Sequence, residues 1–223
     1  MRVITQIGEQ GLELPDGRSV LLRPSLYAMS SLGTPEEIVE KFSALHSSPS
    51  FMTFDDSDSY GVKLAGASVN KQRLRDHWRA MLYLSWEILT ACSEQDLAPF
   101  IGEPGERYAS YRMGPVSPEV MLVLARSLMQ HGLIGPMPKK QNGDPVQPAK
   151  SKYTAKFDAL SFVSKAVAHL GFSESEAWNM TMTSFAANWE AKYGENKQER
   201  HSEEHDETMA WLAKVNEQRK PKQ

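Results

Sequence analysis

Apolar and polar positions alternate only at the start of the chain. Val3, Ile4 and Ile7 precede Gly8, Leu12-Glu13-Leu14 follows, and Ser19-Val20-Leu21-Leu22 comes after Pro15-Asp16-Gly17. Period-two runs around a proline and a glycine predict a hairpin, because proline presets φ at the first turn position and glycine accepts positive φ. From residue 25 onward the apolar period is helical. Leu26, Met29 and Leu32 predict a short helix stopped by Gly33. Thr34-Pro35-Glu36-Glu37 then supplies a cap, a proline at the first helical position and a capping-box glutamate, ahead of Ile38, Phe42 and Leu45.

Residues 47–66 read as a polar, solvated loop. A long helix is predicted over 70–92, with Leu74, Trp78, Met81, Leu82, Ser85, Ile88 and Leu89 on its core face and Trp86 beside them. Residues 93–99 predict a short helix, and 102–116 are rich in glycine and proline, with Tyr108 and Tyr111 between. Ser117-Pro118-Glu119 opens the next helix, with Met121, Leu124, Leu128 and Met129 at core spacing and Gly132 as its stop. Residues 136–150 contain four prolines and few bulky apolar residues, which is linker composition. Beyond them Phe157, Leu160, Val163, Val167 and Leu170 form one stripe closed by Gly171. Ser173-Glu174-Ser175-Glu176 is a capping box, and Thr181 opens a helix carrying Phe185 and Trp189, closed by Gly194. Residues 195–220 are evenly charged, with Met209, Trp211, Leu212 and Val215 as apolar anchors.

The expectation is therefore a mainly α chain with a small N-terminal β-hairpin, of the α+β class. It divides into an N-terminal body, 1–135, a linker, 136–150, and a separate helical segment, 151–223.

Composition changes this picture little. The net charge of the 223-residue chain is −3, and 40% of its residues are hydrophobic. That balance gives no electrostatic reason to expect nucleic acid over the whole surface. Cys92 is the single cysteine, so no disulfide within the chain is expected and a reducing compartment fits. No membrane span and no signal peptide is read in the sequence, and the expected location is the cytoplasm of the cell that makes the protein.

Candidate chemistry is sparse. Asp55, Asp56 and Asp58 lack the alternating ligand order, the sixth-position glycine and the twelfth-position glutamate of a calcium loop. His201-Ser202-Glu203-Glu204-His205 matches the H-x-x-E-H pattern of inverted zinc peptidases. Its charged flanks and the shortage of a third ligand favour a solvated face over a metal site. No G-x-S-x-G elbow and no phosphate loop is present, and Cys92 reads as a small buried residue. Arg73, Arg75 and Arg79 form a basic run that could touch phosphate or remain a solvated face. The chain is expected to be no enzyme and to need no cofactor or metal.

Two stretches carry a resemblance. The stretch from Gly11 to Leu45, through its run from Leu12 and Arg23-Pro24-Ser25 to Met29, resembles the opening hairpin and first helix of the tail assembly chaperones of long-tailed bacteriophages. Leu170-Gly171-Phe172-Ser173-Glu174-Ser175-Glu176-Ala177-Trp178-Asn179-Met180-Thr181 is similar to that family's C-terminal unit, a tryptophan followed by a Met/Leu-Thr step and an amphipathic helix. The resemblance implies a protein that coats the tape-measure protein, recruits tail-tube subunits, works in the host cytoplasm and is absent from the mature virion. On that reading Trp178, Met180, Phe185 and Trp189 are the expected partner contacts, against the alternative that they are the core of a small helical unit. The competing functions are a structural virion component, for tail completion or head–tail connection, and a small nucleic-acid-binding regulator.

Overall fold

The structure is a computed structural model that describes residues 2–4, 7–14, 17–51, 53, 59–106, 110–135 and 156–193. The fold is mainly α with a small sheet at the N-terminus. Strands β1 (Arg2–Ile4), β2 (Glu9–Glu13) and β3 (Ser19–Leu22) form an antiparallel meander in that order. The expected hairpin is β2–β3, with Leu12 opposite Val20 and Glu13 opposite Ser19. Gly17 adopts φ +86 in its turn, as a residue free of Cβ allows. One face of this hairpin is dry: Leu12, Val20 and Leu22 are buried, whereas Leu21 points outward.

Two short helices follow. α1 (Leu26–Ser30) is capped by Ser25. α2 (Pro35–His46) carries the full capping box, Thr34 accepting from the Glu37 amide and Glu37 accepting from the Thr34 amide. The longest element is α3 (Tyr60–Ala91), which begins ten residues before the predicted start. Ser59 caps it by accepting from the Val62 amide. Its last third packs on α5 (Pro118–Met129), capped by Ser117 as expected. Between them lie α4 (Ala98–Ile101), later along the chain than the short helix expected over 93–99, and a hairpin of β4 (Gly102–Pro104) and β5 (Tyr111–Met113). Gly102, at φ +83, is required there, since a Cβ would stand 1.9 Å from the Arg112 carbonyl oxygen.

α5 runs on into a π-helical turn, Gln130–Ile134, which ends at Gly135 with φ +89. Gly132 is therefore not the stop that the sequence predicts. It is buried within the turn, where a Cβ would meet Met29 Sδ at 2.5 Å.

The C-terminal helices are α6 (Ala159–Lys165) with a π-helical turn, Ala166–Leu170, then α7 (Glu174–Asn179) and α8 (Met182–Tyr193). Gly171 closes the first in the left-handed conformation, and Ser173 and Glu176 form the predicted capping box. The linker, 136–150, lies outside the described residues, as do Gly194 and the charged stretch, 195–220.

The helices beyond that linker do not stand apart from the body. Residues from both parts make up one buried apolar cluster. Leu26 donates its amide to the Met180 carbonyl at 2.9 Å, Phe157 donates to the Pro35 carbonyl at 2.9 Å, and Ser25 and Thr181 form a β-bridge. The Thr181 hydroxyl donates to the Ile7 carbonyl at 2.6 Å, and His131 Nδ1 meets the Thr183 hydroxyl at 2.8 Å. Burying these backbone polar groups without such partners would cost about 1–3 kcal/mol each, so the docked position is specified and not merely apolar.

The stripe predicted for 157–170 is only partly right. Phe157 and Val163 are buried, but Leu160 is 58% exposed and Val167 41%. The buried positions are instead Ala159, Val163 and Ala166. Small side chains let α6 approach α1 closely, and the larger residues rotate outward.

Candidate functional site

The four residues expected to contact a partner fall in and around this core. Met180 and Phe185 are buried, at 8% and 6% exposure. Phe185 belongs to an aromatic row: Phe162 meets its edge at 5.4 Å between centroids, and Trp189 stacks on it at 5.5 Å. Trp189 is half-buried and also touches His169, while Trp178 is half-buried with the ring of Tyr27 edge-on at 6.3 Å. Met180 and Phe185 thus serve packing, and Trp178 and Trp189 expose only part of their rings.

The surface that differs from an ordinary one is on α3. The sequence placed Leu74 and Trp78 on a core face, yet they are 37% and 47% exposed. Between Tyr60 and Ala80 Gly66 alone is buried. The helix is 32 residues long, roughly 48 Å at 1.5 Å per residue. Its C-terminal third buries Met81, Ser85, Ile88 and Leu89, and the remainder extends beyond them as a largely exposed arm, with residues 48–50 alongside Arg73, Asp76 and His77.

The arm's apolar residues are ordered. Tyr60, Leu64, Ala67, Leu74 and Trp78, with Lys71 among them, recur at alternating steps of four and three, while Val62 and Val69 lie off the series, which continues through Met81, Ser85 and Ile88 into the core. That is the spacing of a helix–helix seam. Near the body the seam is covered by α5. On the arm it is open, with Tyr60 80% and Leu64 58% exposed. Exposing bulky apolar groups in series along a helix opposes the ordinary hydrophobic bias, at about 25 cal/mol for each Å² left in water.

At the foot of the arm the open seam enters a groove of about 370 Å³, lined by Trp78, Leu82, Tyr83, Tyr111 and Pro118, with Arg79 and Glu119 at the edge. The β4–β5 hairpin brings Tyr111 against Tyr83, their rings edge to face at 5.9 Å. Both hydroxyls are fixed: Tyr83 donates to the Ser110 carbonyl at 2.9 Å and Tyr111 to the Ile101 carbonyl at 3.0 Å. Burial, with Tyr83 alongside, pushes the Tyr111 phenol up to about 12, so it stays neutral. Glu119 is held below the usual carboxylate range by its own backbone N–H and by the Ser117 hydroxyl. The walls are aromatic and aliphatic, which suits a large apolar side chain.

Arg73, Arg75 and Arg79 all lie on the arm. Arg73 donates to the Ser50 carbonyl at 3.3 Å, and Arg75 donates to Gln72. Sequence reasoning missed this site because it began α3 too late and assigned no element to 102–116. The seam's spacing, counted backwards from Trp78 to Tyr60, is the signal that would have found it.

Cys92 is buried, and burial pushes its thiol far up, away from reactivity. Among the described residues no group of three His, Cys, Asp or Glu side chains could hold a metal ion. The H-x-x-E-H run and Asp55, Asp56 and Asp58 lie outside them. No helix among the described residues is long and apolar enough to cross a membrane.

No curated protein and no solved structure matches the chain. A protein family, described as a family of unknown function (DUF6246), matches residues 22–207, which includes α3, the groove and the C-terminal helices. The chain belongs to that family, DUF6246.

Proposed function

We propose that this protein is a non-catalytic assembly factor that holds a helical partner along the α3 arm. The observation that carries the reading is the open four–three seam from Tyr60 to Trp78, running into an aromatic groove. A helix laid along such a seam buries its own apolar stripe and that of the arm together, and leaves when a better cover arrives. In its specific form the proposal is a phage tail assembly chaperone. The partner is then the tape-measure protein, a long helix whose apolar stripes need covering, and tail-tube subunits are recruited to the complex. The work is done in the host cytoplasm, needs no cofactor and leaves no copy in the virion. The resemblance of residues 11–45 and 170–181 to such chaperones supports this form.

Co-expression with a tape-measure protein tests it. The wild-type chain should raise the partner's soluble fraction, and a chain with Leu64→Glu and Leu74→Glu should not. Unchanged solubility with the wild-type chain overturns the proposal. Mass spectrometry of purified particles separates the chaperone from a structural virion component, since stoichiometric presence in the particle contradicts a chaperone that departs.

A further inference from the structure

The charges on the arm indicate which helix it holds, on the reading that the arm is a docking surface. Its seam contains one cation, Lys71, between Ala67 and Leu74. The positions bordering the seam are Gly61, Ser68 and Arg75 on one side and Lys63, Asn70 and His77 on the other. None carries a carboxylate. Over residues 60–79 five Lys and Arg residues stand against Asp76 alone, on a chain whose net charge is −3. Asp76 faces away from the seam and accepts from Gln72 at 2.8 Å. Among the described residues no ion pair involves Lys71, Arg75 or Arg79.

We propose that the occupant of the arm is an acidic amphipathic helix of a partner protein. It would carry apolar residues at four–three spacing, a carboxylate opposite Lys71 and further carboxylates along its edges. A cation inside an apolar seam is costly unless a partner charge meets it, and charges beside a seam choose the partner. A second copy of this chain is the wrong occupant. Its own arm would bring a second Lys71 to the seam and more cations to the borders, with no carboxylate at any of those positions. Nucleic acid is the wrong occupant for a different reason. Phosphate makes no use of Tyr60, Leu64 and Leu74, which hold the middle of the same strip, and Arg73 points to the Ser50 carbonyl instead.

The test uses the full chain and two designed three-heptad peptides with the same apolar residues. One carries glutamate at every position bordering its seam and the other lysine. Fluorescence anisotropy should show the glutamate peptide binding at least about tenfold more tightly than the lysine peptide, a gap that narrows as salt rises. Lys71→Glu with Arg75→Glu should reverse the preference, and Leu74→Glu should abolish binding of both. These side chains are exposed, so circular dichroism should show each variant folded. Equal affinity for the two peptides, with Leu74→Glu still disrupting it, overturns the acidic partner while leaving the docking surface intact. Binding of neither peptide overturns this proposal, and the co-expression result then decides the docking reading by itself. A single-stranded oligonucleotide bound more tightly than the glutamate peptide overturns it in favour of nucleic acid. A dimer of the free chain that Leu74→Glu dissociates overturns it in favour of a second copy.

Discussion

Truncating Phe185 to alanine should destabilise the whole chain, whereas truncating Leu160 should leave it unchanged. Phe185 is 6% exposed and packs between the rings of Phe162 and Trp189. Removing a buried phenyl ring costs about 3–5 kcal/mol, from lost transfer energy and the cavity left behind. In a chain of this size 1 kcal/mol moves the melting temperature by roughly 2–4 °C, so a shift of roughly 6–20 °C is expected. Leu160 is 58% exposed, and its truncation should stay within about 0.5 kcal/mol. Differential scanning calorimetry is the assay. Because α6, α7 and α8 share the core of the body, Phe185→Ala should lower one cooperative transition, with no early transition splitting from it. If the main transition stays in place and a small separate one appears below it, residues 156–193 unfold alone and the shared core is refuted. If Leu160→Ala costs as much as Phe185→Ala, the rotation of α6 is refuted.

Gly132→Ala should destabilise by about 1–3 kcal/mol by overpacking, since its Cβ would press on Met29 and on Pro24; urea unfolding measures it. Stability should fall as pH drops below 6.5, the ordinary value for histidine, through the lowered value of His131. Burial depresses that value, so the unfolded chain binds the proton first and acid favours unfolding. Melting temperatures on either side of 6.5 should show the loss, and His131→Gln should reduce it. The Cys92 thiol should resist a disulfide reagent in the native chain and react fully in denaturant, because it is buried and its thiolate is disfavoured.

What the sequence disclosed was local. The caps at Thr34, Ser117 and Ser173 were legible because the cap and the amide it serves lie three residues apart, and each is present. The β2–β3 hairpin was legible from its alternation and its turn glycine. Where tertiary packing decides, the pattern misled. Leu160 and Val167 have the period of a core stripe, but Ala159, Val163 and Ala166 hold the buried positions. Gly132 looks like a helix stop and is instead a point of close approach to Met29. β4 and β5 are three residues each, too short to show a period, and only the geometry of Gly102 demands them. The groove joins Trp78, Tyr111 and Pro118 from three elements, a proximity that no spacing along the chain encodes. Trp178 and Trp189 drew notice through the resemblance of the C-terminal unit to tail assembly chaperones, but aromatic residues also build cores, and the pattern does not separate the two uses.

Hydrogen–deuterium exchange of the chain alone and in complex with a co-expressed tape-measure protein tests the central claim most directly. An exposed helix exchanges quickly, and a covered one slowly. Protection concentrated in residues 60–78 and in the groove around Tyr111 is the result expected. A complex that leaves exchange over 60–78 unchanged, with protection confined to 156–193, would contradict the arm as the docking surface and return the partner contacts to Trp178 and Trp189.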